Sequence, residues 1–257
     1  MKKYNNLVLN FTNVYTDEIK SKQNDMIWID CTDIDGCNMY CTKEAKEEII
    51  KRILPYGISG IHFLDSGNYH YVTKFMVEKI EEPFSLVLID HHTDMQKPVI
   101  SELTSCGGWA YDVLKEHPYL QQLILIGPNH KNLEQLKVPN KEKLIGISDE
   151  ELNQHKEKAD VGKIRRDVPV YISVDKDVLD EYYAKTNWNQ GTMSVELLEQ
   201  VLQYFITNME VLGVDLCGEF PVYDNLPEYY ESIRVNRGLN QELYQLLIRL
   251  LSRKKMQ

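Results

Sequence analysis

The chain has 257 residues, with 29 Lys and Arg against 39 Asp and Glu, for a formal net charge of -10. That acidity argues against a broad nucleic-acid surface or an anionic membrane as partner, and bound cations would neutralise part of it. The length suits one large α/β domain over residues 1–257, and five scattered cysteines fit a reducing cytoplasm, not a disulfide scaffold. Met1-Lys2-Lys3 opens like a signal peptide, yet Leu7-Val8-Leu9 is too short an apolar run for an h-region. Short apolar runs then read as strands at Leu7 to Phe11, Met26 to Ile29, Ile58 to Leu64 and Phe84 to Ile89. Four more follow at Leu120 to Ile126, Leu144 to Ile147, Val168 to Val174 and Val211 to Leu216.

Helices are expected after Thr42, Tyr71, Gly108, Asp149 and Gly238, the last with Leu239, Leu243, Leu246, Leu247 and Leu250 as its apolar stripe. The clearest helix starts at Ser194, a good N-cap, and carries Val195, Leu198, Val201, Leu202 and Phe205 on one face. The lysine-rich stretch Lys156 to Arg166 reads as a solvated linker. Strands that are apolar throughout and alternate with helices predict a mainly parallel sheet of about eight strands in a three-layer α/β/α arrangement. Ligands then bind beyond the carboxyl ends of the strands.

Those ends are where the chemistry-bearing residues collect. Asp65 to His70, Asp90-His91-His92-Thr93-Asp94 and Asp175-Lys176-Asp177 each follow an apolar run. Strand alternation puts Asp90 and His92 on one face and Asp175 and Asp177 on one face, with Asp94 reaching back from the turn and His91 pointing away. Carboxylates with a minority of imidazoles suit divalent ions of the manganese type, whereas structural zinc favours cysteine, and Cys37 and Cys41 lack partners for such a set. Two such ions can share one water and lower its pKa, provided carboxylates bridge them, and Asp90 and Asp175 are placed to do so.

Three segments carry a family resemblance. Gly67-Asn68-Tyr69-His70, Asp90-His91-His92-Thr93-Asp94 and Ser173-Val174-Asp175-Lys176-Asp177 resemble the Gly-Gly-Asp-His-Ser, Asp-Ala-His-x-Asp and Ser-x-Asp-x-Asp motifs of the arginase, or ureohydrolase, family. The resemblance runs from about Ile58 to Pro221. It implies two Mn²⁺ per chain: His70 and Asp94 on one, His92 and Asp177 on the other, Asp90 and Asp175 on both. It also implies that Asp94 orients a bridging hydroxide, which attacks a linear guanidino or amidino small molecule, and that the chain forms homo-oligomers.

The substrate half departs from the family pattern. Ser105-Cys106-Gly107 stands where the family carries a His-Gly step, so its histidine proton shuttle is missing and Cys106 takes a place on the substrate side. The family's substrate-binding glutamate falls one residue late, at Glu219, in Asp215-Leu216-Cys217-Gly218-Glu219-Phe220-Pro221. Trp188 and Asn189 are expected on a loop over the substrate, and His130 is a candidate proton carrier. Two rival readings remain open at this level. One is a deacetylase-like metal amidohydrolase with a single zinc, and the other is a catalytically silent metal-binding protein.

Overall fold

The eight strand-forming runs are dominated by apolar residues, chiefly Val, Ile and Leu, which is the composition of strands buried on both faces. In a computed structural model, which describes residues 4–15, 26–98, 100, 102–153, 160–221 and 226–254, all eight form strands. They are β1 (Asn6–Asn10), β2 (Met26–Asp30), β4 (Ile61–Phe63), β5 (Phe84–Ile89), β7 (Leu120–Ile126), β8 (Leu144–Ile147), β9 (Val170–Asp175) and β10 (Val211–Cys217). A separate antiparallel pair joins β3 (Tyr40–Cys41) to β6 (Thr104–Ser105), too short to stand out in the sequence. The main sheet has the order β2-β1-β4-β10-β9-β5-β7-β8, and every pairing in it is parallel.

Period-two alternation divides each strand between two cores. Val87 and Ile89 face one side of the sheet and Leu86 and Leu88 the other. The first side is covered by α6 (Val195–Asn208) and α7 (Leu226–Lys254), through Leu198, Leu202 and Phe205 and through Leu239, Leu243 and Leu247. On the second side lie α1 (Lys43–Ile53), α2 (Val72–Val77) and α3 (Trp109–Glu116), through Ile49, Phe75, Trp109 and Val113. Two short helices, α4 (His130–Glu134) and α5 (Asp149–Asn153), follow β7 and β8. This is the expected three-layer α/β/α architecture.

Local signals explain the helix starts. The side chains of Thr42 and Ser194 accept hydrogen bonds from the backbone N–H groups of Ala45 and Leu197, as N-caps do. The last helix differs from expectation, because it starts at Leu226 and Gly238 lies inside it. Its first half buries Ser232 and Asn236 instead of leucines, so no apolar period marks it. The Asn236 amide bonds both the N–H and the C=O of Lys185, fastening the loop that carries Trp188. The expected linker Lys156 to Arg166 lies partly outside the described residues, and Asp160–Lys163 forms a 3-10 turn. No helix among the described residues is long and apolar enough to cross a membrane.

Candidate metal centre

Because the sheet is parallel, the carboxyl ends of its strands share one edge, and there β4, β10, β9 and β5 are consecutive neighbours. The chain leaves β4 into a 3-10 turn, Gly67–Tyr69, capped by His70. Asp90 follows β5 directly, and Asp94 returns from the loop in a left-handed conformation, φ 50°, that aspartate tolerates better than most residues. β9 ends on Asp175, and the turn Lys176–Val178 presents Asp177.

These side chains converge. His70 Nδ1 lies 3.3 Å from Asp90 Oδ2, 3.2 Å from Asp94 Oδ2 and 3.5 Å from Asp175 Oδ2. His92 Nδ1 lies 2.8 Å from Asp177 Oδ2 and 3.7 Å from Asp90 Oδ1. Asp90 therefore offers one oxygen to each group. His70, Asp90 and Asp175, and likewise Asp90, His92 and Asp177, bring ligand atoms within 4.8 Å of one another. The structure thus brings together all six residues expected as ligands.

Negative charge is concentrated where water is scarce. Burial, reinforced by the charge of Asp90, pushes the Asp94 carboxyl up to about 6 and raises Asp175. Burial also raises Asp177, with the charges of Asp175 and Asp90 adding to it. Burial opposes a charged His92, but its contacts with Asp177 and Asp90 outweigh that and carry it up to about 11. A buried carboxylate cluster of this kind holds protons or cations. The donor set fits divalent cations: oxygen-rich, with two imidazoles, and with His70 Nδ1 buried and lacking any hydrogen-bond partner.

One proton per hydroxyl then fixes how His70 is held. Thr73 Oγ1 must donate to Asp215 Oδ2, 2.8 Å away, since a carboxylate only accepts. Ser173 Oγ, 3.0 Å from Thr73 Oγ1, must in turn donate to it. Ser173 then accepts from His70 Nε2–H at 2.8 Å, which leaves Nδ1 as the ring nitrogen that faces the carboxylates. Asp215 also accepts from Tyr171 OH at 2.7 Å and bonds His62 Nδ1 at 2.8 Å. All of these residues are at most 1 % exposed. The sequence reading passed over this chain of bonds; its one signal was Ser173, two residues before Asp175 and so on the same strand face. Trp109 was missed likewise: its indole Nε1–H donates to Asp94 Oδ2 at 2.6 Å, and the Ala110 and Tyr111 N–H groups bond the Asp94 carbonyl.

Asp65 is not part of the cluster. Its carboxylate turns to the loop after β1, accepting from the N–H groups of Phe11 and Thr12 and from the Thr12 hydroxyl. His91 points aside as alternation predicts, with Nδ1 beside Gly191. Over the cluster lies a cavity of about 370 Å³, lined by Cys106 and Trp188 among others. The Trp188 indole bonds the Asn68 side chain at 3.0 Å, and its ring stands 5.8 Å from that of His92.

Three candidates lie elsewhere. Asn189 is exposed and does not line the cavity. His130 faces solvent beside Glu134, 3.2 Å away. Glu219 turns from the cavity to an ion pair with the buried Lys176, and Asn240 also donates to it. The residue nearest the cluster on that segment is Gly218, φ 95°, where a Cβ would come within 2.4 Å of Asp175 Oδ1. Gly218 thus lies against Asp175, while the Glu219 carboxylate is held by Lys176 and by Asn240 of α7.

Comparison with known proteins agrees with this geometry. The model of the arginase family matches residues 4–229. The chain belongs to the arginase family. An uncharacterised protein of Thermotoga maritima is 32% identical over 205 residues, which cover 80% of this chain and 76% of that protein. An agmatinase of Bacillus cereus is 27% identical over 194 residues, which cover 70% of this chain and 61% of the agmatinase. The crystal structure of an agmatine ureohydrolase from Thermoplasma volcanium shares the fold, with a TM-score of 0.63 at 18% identity, covering 97% of this chain and 90% of that one.

Proposed function

We propose that this protein is a metal-dependent hydrolase that cleaves a C–N bond at an sp² carbon of a small molecule, using two divalent ions, with manganese preferred. His70 Nδ1 carries the proposal, since it is buried without a hydrogen-bond partner and faces Asp90, Asp94 and Asp175 at 3.2–3.5 Å. Bound ions would supply a water-derived hydroxide at neutral pH. On this reading His70, Asp94 and Asp175 hold one ion, His92 and Asp177 hold the other, and Asp90 serves both. Asp175 would also bridge them. Asp94, fastened by Trp109, is positioned to orient the attacking water. A one-zinc amidohydrolase built on Asp90, His92 and Asp177 would leave His70, Asp94 and Asp175 without work, although the structure gathers them.

Family membership makes linear guanidino and amidino compounds the first substrates to test. The test has two parts, metal per chain by elemental analysis and release of urea, ammonia or amine from arginine, agmatine, guanidinobutyrate and formiminoglutamate. About two manganese per chain is expected, falling on Asp90→Ala or Asp175→Ala substitution. Full retention of metal by either variant refutes the ligand assignment. Full metal without turnover of any C–N substrate favours the silent metal-binding reading.

A further inference from the structure

Beyond the metal cluster, the cavity wall carries no charged side chain among the described residues. Its polar groups include the amides of Gln96, Asn132 and Gln135 and the hydroxyls of Tyr40, Thr93 and Ser105, with the Trp188 ring offering an apolar surface. The Cys106 thiol lines the cavity as well. Two divalent ions would balance the charges of Asp90, Asp94, Asp175 and Asp177. No carboxylate is then left over for a cation.

The acidic residue that could have served is committed elsewhere. Glu219 is 5% exposed and its charge is matched by Lys176, itself 1% exposed, with Asn240 as a further donor. Turning it back would leave the Lys176 ammonium buried and unpaired, at a cost of several kcal/mol. Nor can the strand end carry a replacement, because a side chain at Gly218 would collide with Asp175 and with the Lys176 backbone. A guanidinium entering here would shed water without gaining an anionic partner. A carbonyl group needs only hydrogen-bond donors, and the wall provides them.

We infer that the group cleaved is uncharged, an N-acyl or N-carbamoyl amine R–NH–C(=O)–R′, and not a guanidinium; this rests on the hydrolase reading above. In the hydrolysis the oxygen of water bonds the carbonyl carbon and the C–N bond breaks. The bonding pair and a proton from water pass to nitrogen. The products are R–NH₂ and the carboxylic or carbamic acid, with no change of oxidation state.

Matched compounds that differ only in this group provide the test: agmatine, N-carbamoylputrescine and N-acetylputrescine, each offered to the manganese-loaded full chain. Putrescine release gives kcat/KM and calorimetry gives affinity. The two compounds whose cleaved group is neutral are expected to exceed agmatine by about tenfold or more in kcat/KM. Equal or faster cleavage of agmatine overturns the inference and leaves the hydrolase reading intact. If none is cleaved, the hydrolase reading loses support and affinity decides the rest. Tighter binding of the carbamoyl and acetyl compounds supports a neutral group at the site, and equal or tighter binding of agmatine overturns it.

Discussion

Replacing Thr73 with Val removes one hydroxyl from a fully buried site while keeping its shape. Thr73 Oγ1 bonds Asp215 Oδ2 at 2.8 Å and Ser173 Oγ at 3.0 Å. A bond to a charged group contributes about 1.5–3 kcal/mol and a neutral one about 1, so the metal-free variant should lose about 2.5–4 kcal/mol of stability. A second effect reaches the metal centre. With no Thr73 oxygen to receive it, the Ser173 proton turns to His70 Nε2, which favours the tautomer carrying its proton on Nδ1. Binding a cation must then reverse that tautomer, and loss of such outer support costs about 10–100-fold in metal affinity. Urea denaturation of the metal-free protein reads the first effect, and competition with a fluorescent chelator reads the second. Thr73→Ser should restore both. A Thr73→Val protein that binds manganese with unchanged affinity refutes the tautomer argument, whatever its stability.

Four further outcomes follow from the geometry. Lys176→Met leaves Glu219 buried without its counter-charge, and urea denaturation should show a loss of about 3–5 kcal/mol; wild-type stability would mean that the pair is not buried in solution. Gly218→Ala forces a Cβ against Asp175 at a φ of 95°, so metal content per chain should fall, and an unchanged content would contradict the packing. Trp109→Phe removes the indole donor from Asp94 at small cost in volume, and should lower activity on whichever C–N substrate is found more than it lowers metal content. Asp94, pushed up to about 6, must lose its proton to ligate, so affinity is full above that pH and falls as pH drops through it. Metal retained after dialysis at about pH 5 should therefore lie well below that at about pH 7.5, and equal retention would show that protons do not compete.

The sheet was legible because each of its eight strands lies in a mainly apolar run, and the six ligands were legible because each follows such a run. Side-chain direction beyond a strand end was not. Period-two alternation stops where β10 stops, so Glu219 could not be assigned a side from spacing. His130 follows a strand as Asp90 does, yet the helix it opens carries it outward to Glu134. The supporting residues of His70 come from three strands and a helix, and their separation in the chain hides them: Thr73 and Asp215 are 142 positions apart.

The place of β10 in the sheet has a kinetic consequence. It is the last strand in the chain, yet it lies between β4, which leads to His70, and β9, which ends on Asp175. Until it inserts, the two halves of the ligand set are not neighbours, so a nascent or partly folded chain cannot hold its metal in the final geometry. Ordering of the cluster is expected among the slow, late events of folding, with sequence-distant pairing as the gate. Metal added at the start of refolding should therefore leave the rate of sheet formation unchanged and stabilise only the finished molecule.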